Sequence, residues 1–257
     1  MGISVVIITK NEEERIKKCL DSLRGFADEI VIVDDLSTDK TVEICKDYGA
    51  KVIIHESKGD FGSQRNIGID NSKGEWILQM DADEVVPYET AKEIRKKLMD
   101  SGEFVAFELK RRNFLLSYPL KYGGSYNYGI KLFRKGKVCY NKGHIHETLK
   151  IEGKVGRIEA DIYHYPFSSI RDILNKMNFY TDVEVDYFTK SLESISFKEI
   201  KYRLTWKSLK LFWKLYVKKK GYKDGMYGLV WCIINVIGPQ IKWLKVWEKA
   251  LKEEKIV

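Results

Sequence analysis

Two aspartates one residue apart, Asp81 and Asp83, follow directly on the apolar string Trp76–Met80 (WILQM). Carboxylates at that spacing can share one divalent cation. Their hard oxygens suit Mg²⁺ or Mn²⁺, which keep positions open for the oxygens of a diphosphate. The same string also reads as an acidic turn that caps a helix near Pro87, so its position has to decide. Three more polar clusters sit in the same place relative to an apolar run. Thr9, Lys10, Asn11 and Glu12 follow Ile3–Ile8. Asp34, Asp35, Leu36 and Ser37 follow Glu29–Val33. His55 and Glu56 follow Lys51–Ile54.

These runs must be the elements that position the polar groups. Ile3–Ile8 (ISVVII) is continuously apolar, as in a strand buried on both faces. Helical patterns at Glu13–Leu23, Asp39–Tyr48 and Phe61–Ile69 alternate with it and with the strands at 29–33, 51–54 and 76–80. Repeated βα units predict an α/β fold with a mostly parallel sheet and helices on both faces. Ligands of such sheets sit at the carboxyl ends of the strands, where all four polar clusters fall. No G-x-G-x-x-G follows the first strand and no phosphate-binding G-x-x-x-x-G-K-[ST] occurs, which speaks against a dinucleotide dehydrogenase or a P-loop nucleotidase. A nucleotidyltransferase would need a Gly-rich basic loop after the first strand, where this chain has Thr9-Lys10-Asn11-Glu12-Glu13-Glu14.

Composition sets the outer limits. A chain of 257 residues with 44% apolar and 12% aromatic residues can bury a sizeable core. Four widely spaced cysteines form no C-x-x-C pair, which argues for reduced structural thiols rather than a zinc or disulfide framework. Residues 198–257 hold 15 Lys and Arg against 5 Asp and Glu, so this last quarter carries +10 while the rest carries −2. The chain opens without a basic n-region of a signal peptide. The longest uncharged run, Gly225–Ile241, has 17 residues and includes Asn235, Pro239 and Gln240, so no spanning helix is expected.

Taken together, Ile3–Glu12 (ISVVIITKNE), Ile32–Thr41 (IVDDLSTDKT), Gln64–Gly68 (QRNIG) and Met80–Glu84 (MDADE) resemble the family 2 glycosyltransferases of GT-A fold. Lys131–Arg134 (KLFR), His146–Leu149 (HETL), His164-Tyr165 and Lys176 to Tyr180 are similar, more narrowly, to the lipopolysaccharide-core β-glucosyltransferase-like branch. The resemblance implies a GT-A domain (a nucleotide-diphospho-sugar transferase with a Rossmann-like mixed sheet) over residues 1–167, and a basic amphipathic helical extension over 168–257. It implies a metal-dependent inverting transfer from a UDP-sugar, UDP-glucose in particular, to a lipopolysaccharide-core or other lipid-linked glycan. The alternative is a non-catalytic module that binds a nucleotide sugar or glycolipid.

Residue roles follow from the same resemblance. Thr9, Asn11 and Glu12, with Asp34 or Asp35 at the base, would hold the nucleoside. Arg65 would lie near the nucleotide. Asp81 would face the ribose and donor sugar, and Asp83 would bind Mn²⁺ or Mg²⁺. Glu147 would be the general base that takes the acceptor hydroxyl proton; a surface Glu paired with a basic neighbour is the other reading. His164 is either a further metal ligand or a packed histidine among aromatics. Lys176 would meet the diphosphate, or lies on a solvated helix face. On the acceptor side, the Gly- and Tyr-rich stretch around Tyr126 reads as a loop over a ligand or as a half-buried strand. Lys131 stands where the branch usually has Arg, so it keeps the charge without the planar fork.

From Ser168 the pattern is helical to the end, with Lys207, Lys210, Lys214 and Lys218 between apolar positions and Gly221 as a break. Lys218, Lys219 and Lys220 precede a helix with Trp231, Trp243 and Trp247. That combination predicts contact with an anionic membrane surface, so a cytoplasmic protein peripheral on the inner face of the cell membrane. Packing of these helices on the GT-A domain, or on a second copy in a homodimer, is the other reading. No nucleic-acid-binding motif accompanies the charge.

Overall fold

The computed structural model describes residues 2–141, 148–190 and 193–254. The chain forms two compact units. One is Met1–Arg112 with Asn127–His164; the other is Asn113–Tyr126 with Tyr165–Val257. The chain passes between the units three times, after residues 112, 126 and 164, so the short excursion 113–126 belongs to the helical unit.

In the first unit the expected alternation is present: β1 (Ile3–Thr9), α1 (Ile16–Leu23), β2 (Glu29–Asp34), α2 (Thr41–Asp47), β3 (Lys51–Ile54), α3 (Phe61–Asp70) and β4 (Trp76–Asp81). β1 is flanked by β2 and β4, both parallel to it, and β3 lies parallel outside β2. β1 is buried on both faces, which explains its unbroken apolar run. Ile3, Val5 and Ile7 pack with Ile16, Cys19, Leu20 and Leu23 of α1. Val6 faces the other side with Val31, Ile69 and Ile77. There α3 comes so near that a Cβ on Gly68 would stand 2.3 Å from a Val6 methyl carbon. Three cysteines are buried and all four are free thiols; burial, with Asp34 and Asp39 beside it, pushes the Cys45 thiol up to about 12.

The sheet then becomes mixed. β5 (Glu84–Val85), α4 (Tyr88–Met99), β6 (Phe104–Leu115), β7 (Tyr118–Pro119), β8 (Tyr126–Arg134) and β11 (Lys154–His164) complete it in the order β3-β2-β1-β4-β8-β6-β11-β5, with β7 paired to β6. β9 (Val138–Tyr140) and β10 (Leu149–Ile151) form a separate antiparallel pair. β8 runs antiparallel to β4. The Tyr-rich stretch is therefore mostly strand. The Tyr128 hydroxyl donates to Glu159 at 2.9 Å, and the Arg157 guanidinium lies 4.1 Å from the centre of its ring.

The second unit contains α5 (Ile170–Lys190), α6 (Phe197–Tyr202), α7 (Ser208–Trp213) and α8 (Gly225–Lys252). Ser196 caps α6 by accepting the Glu199 N–H, as its spacing predicts. π-helical turns at Arg203–Lys207 and Lys214–Lys218 make one continuous helical run from 197 to 218. The run ends at Lys220, in the left-handed region with φ 58°, ahead of a short 3₁₀ turn. A Cβ on Gly228 would meet the Gly221 carbonyl oxygen at 1.9 Å, so α8 can start here only with glycine at 228. α8 continues through Pro239 over 28 residues. By length and composition alone, the stretch Gly221–Lys252 is long and apolar enough to cross a membrane. Its Lys242, Lys245 and Lys249 pair with Glu184, Asp182 and Asp186 of α5. Trp231 is buried in this unit, and Trp243 and Trp247 pack against its core. Trp231 is thus enclosed within the unit, while Trp243 and Trp247 are half-buried against its helices.

Candidate active site

Strand register assembles the site. Thr9 pairs with Asp34 across β1 and β2, and Ile8 with Asp81 across β1 and β4. Three parallel strands thus deliver their terminal polar residues to one edge. The buried Thr9 hydroxyl has no hydrogen-bond partner among the described residues.

The loops after β1 and β2 are tied to each other. Asn11 adopts a left-handed conformation, φ 52°. Its backbone N–H donates to Ser37 Oγ at 2.8 Å, and its Oδ1 accepts the Thr38 N–H at 2.8 Å. The Glu12 N–H donates to Thr41 Oγ1 at 2.8 Å, the Glu13 N–H to Asp39 Oδ2 at 3.1 Å, and the Lys40 N–H to Glu13 Oε2 at 3.0 Å. The Glu12 carboxylate accepts from Arg15 at 2.5 Å. Asp34 is fully buried and turns back on its own loop, accepting from the Ser37 N–H and hydroxyl. Asp35, also buried, accepts the Ser57 N–H and hydroxyl, each at 2.8 Å, and faces Lys10 at 3.2 Å. Burial pushes the Asp35 carboxyl up, but these donors and the Lys10 charge hold it below its ordinary value.

Five charged side chains meet around the end of β4. Arg65 from α3 donates to Asp81 Oδ1 at 3.1 Å. Lys131 from β8 reaches Asp81 Oδ2 at 3.5 Å and Glu84 Oε2 at 2.8 Å. Arg111 from β6 lies 3.8 Å from Asp81 and 3.9 Å from Glu84. Glu84 is fully buried and also accepts the Asp81 N–H at 3.0 Å. Burial alone would raise the Asp81 carboxyl, but Lys131, Arg65 and Arg111 hold it far below the usual range. For Glu84 burial wins, and its carboxyl is raised despite Lys131. The arrangement therefore keeps Asp81 ionised and leaves three cations beside it.

The second aspartate of the pair belongs to another contact. Asp83 Oδ1 lies 3.4 Å from His164 Nε2, both side chains being largely enclosed. Pairing of β5 with β11 sets His164 opposite Glu84 and so beside Asp83. The adjacent α3 is anchored by Asn66, whose amide donates to the Tyr140 carbonyl and accepts the Tyr140 N–H. The Arg65 guanidinium lies 5.4 Å from the centre of the Tyr140 ring.

Of the residues singled out by sequence, Thr9, Asn11, Glu12, Asp34 and Asp35 share the edge and its two loops. Arg65, Asp81 and Lys131 form one cluster, and Asp83 and His164 a second contact. Lys131, expected toward an acceptor, is held by Asp81 and Glu84. Lys176 and Tyr126 belong to the second unit. The Lys176 ammonium donates to the Pro166 carbonyl at 2.7 Å, and Tyr126 is exposed. Glu147 lies outside the described residues. Sequence reasoning assigned no role to Glu84 or Arg111. The only signal was Lys110-Arg111-Arg112, a basic triplet interrupting an apolar strand.

The pH dependence has a definite sign. A carboxyl whose folded value is depressed stabilises the protein above its unfolded value, and that contribution is lost as pH falls toward the folded one. Asp81→Asn is expected to be less stable than wild type at neutral pH. The gap should narrow as pH falls below about 4. Urea unfolding of both proteins across that range checks it; a gap independent of pH would refute the ionic role.

A family model described as "Glycosyl transferase family 2" matches residues 4–146. An uncharacterised glycosyltransferase of Rickettsia typhi is 28% identical over 276 aligned positions, covering 99% of this chain and 90% of that protein. The lipopolysaccharide core biosynthesis glycosyltransferase LpsC of Rhizobium meliloti is 26% identical, covering 98% and 94%. Among solved structures, S. aureus TarS is 21% identical with a TM-score of 0.49, covering 72% of this chain and 40% of that one.

Proposed function

The chain belongs to glycosyl transferase family 2, and from that premise we propose that it transfers a sugar from a UDP-sugar, UDP-glucose in particular, to a lipopolysaccharide-core or other lipid-linked glycan with inversion at the anomeric carbon. The observation that carries the reading is the convergence of Thr9, Asp34 and Asp81 at one sheet edge with Arg65, Lys131 and Arg111 beside Asp81, and the Asp83–His164 contact that follows in the chain. The acceptor class draws support from the name of the Rhizobium relative, which spans the chain.

A divalent cation fits the residues present. Asp83 offers a carboxylate oxygen and His164 an imidazole nitrogen 3.4 Å away, a mixed oxygen–nitrogen pair that Mn²⁺ accepts more readily than the oxygen-seeking Mg²⁺. No group of three potential ligands gathers among the described residues, so further positions would fall to diphosphate oxygens and water. When bound, the cation would neutralise charge on the leaving diphosphate. The protein's own groups do the rest. Asp35, held by Ser57 and Lys10, and Asp34 form the floor for the nucleoside. Arg65 and Asp81 orient the ribose and sugar. Glu147 takes the acceptor hydroxyl proton as that oxygen attacks in line.

Thermal unfolding with UDP-, GDP-, CMP- and dTDP-sugars, each with Mn²⁺, Mg²⁺ or EDTA, tests the donor. At a ligand concentration near 100 Kd the stabilisation is about 2.7 kcal/mol. A shift confined to UDP-sugars and to the metal-containing samples is expected, and Asp83→Ala should lose the metal-dependent part. An equal shift in EDTA, or an unchanged one in Asp83→Ala, would remove Asp83 as a ligand.

A further inference from the structure

The helical run 197–218 has one anchored side and one side that, among the described residues, is left exposed. Ile200, Ser208 and Leu215 are buried in the second unit, and the Leu204 carbonyl accepts from Gln240 at 3.2 Å. Tyr202, Trp206, Leu209 and Trp213 are large apolar side chains that this run leaves exposed, set apart from the buried Ile200, Ser208 and Leu215. They are 41%, 64%, 61% and 57% exposed. Two indoles, a phenol and a leucine on one helical run are far more apolar surface than a helix in water ordinarily shows.

The charge along this run is one-sided. From Lys198 to Lys220 the chain carries nine Lys and Arg and a single acid, Glu199. Glu199 is engaged by Arg203 at 2.5 Å. This short segment therefore carries +8, as much as the whole chain. Lys201, Lys207, Lys210, Lys214 and Lys218 are all exposed. The Lys210 ammonium lies 5.8 Å from the centre of the Tyr202 ring.

We propose that the face formed by Tyr202, Trp206, Leu209 and Trp213, with its surrounding lysines, docks on an anionic lipid bilayer surface. Trp and Tyr are suited to the headgroup boundary, where the ring is apolar and its edge polar. The lysines can lay their methylene stems along the apolar side chains while the ammonium groups meet lipid phosphates. A second copy of this chain is the poorer occupant, because pairing the face with itself sets its exposed lysines against like charges. The orientation is that of a helix lying in the interface plane, with both signals that stable surface anchoring needs. The membrane contact thus belongs to Trp206 and Trp213 rather than to the indoles of α8.

Flotation of the full chain with phosphatidylcholine vesicles, with and without phosphatidylglycerol, tests the proposal. Neither donor nor acceptor is present, so the result does not depend on the transfer reaction. The expected result is flotation with phosphatidylglycerol only, weakening as salt shortens the screening length. Trp206→Ser with Trp213→Ser should lower binding about tenfold or more. Replacing Lys207, Lys210 and Lys214 by Gln should lower it about a hundredfold. All five side chains are exposed, so both variants should melt like wild type; Tyr88→Ser, at an exposed position of the first unit, should bind normally. Equal binding to both vesicle types overturns the proposal, as does undiminished binding of the double Trp variant. Light scattering that shows a dimer broken by the Trp substitutions also overturns it and assigns the face to a second copy.

Discussion

Lys131→Met is expected to destabilise the protein by about 3–5 kcal/mol, the effect of removing one partner from a buried ionic cluster. Lys131 lies between Asp81 and fully buried Glu84. Burial pulls its ammonium down, but the two carboxylates more than compensate, and the net shift is upward from 10.5. A raised folded value means that the stabilisation is intact at neutral pH and is lost only as pH rises through that value in strong alkali. Met fills similar space but leaves Glu84 with Arg111 at 3.9 Å and the Asp81 N–H. Lys131→Arg, which keeps the charge, should retain most of the stability. Lys131→Met combined with Glu84→Gln should recover part of the loss, because the uncompensated charge is then gone. Urea midpoints of the four proteins decide it. A loss below about 1 kcal/mol in Lys131→Met would mean that the cluster behaves as a surface pair.

Glu147→Gln is expected to leave donor binding unchanged and to reduce sugar transfer by about 10²–10⁴-fold, the usual contribution of a positioned general base. Gln keeps the size and loses the proton acceptor. A UDP-sugar with Mn²⁺ should therefore raise the melting midpoint of the variant as it does for wild type, while product formation collapses. Weakened donor binding together with lost turnover would make Glu147 a donor-site residue instead. Normal turnover would eliminate it from the reaction. The anomeric proton coupling of the wild-type product reports inversion independently.

The parallel half of the sheet was legible because physics marks it twice. A strand buried on both faces, such as Ile3–Thr9, must be apolar throughout, and the polar residue that ends it must then stand at the sheet edge. Asp34 and Asp81 could be placed that way before any coordinates. The antiparallel half carries a weaker mark. β6 and β8 mix Lys, Arg and Tyr with apolar residues because only part of each strand is covered. Nothing local shows that Lys131 or Arg111 turns toward Asp81, residues 50 and 30 positions away in the chain. Glu84 was hidden for another reason. A buried carboxylate is tolerable only with partners, and its partners lie on distant strands. In the C-terminal region the count of Trp and Lys was informative, but the side each one faces was not. The π turns at Arg203–Lys207 and Lys214–Lys218 shift the helical phase, and simple 3.6-residue spacing cannot follow that shift.

The bracing between the loops after β1 and β2 limits how this edge can be re-engineered. Among the described residues, five hydrogen bonds from backbone N–H groups join Asn11, Glu12 and Glu13 to Ser37, Thr38, Asp39, Lys40 and Thr41. Each uses a backbone N–H on one side and a side-chain oxygen on the other. A chimera that borrows one loop from a relative and keeps the other strands those amides opposite the wrong side chains. The pair behaves as a single cassette, to be transplanted whole or left in place.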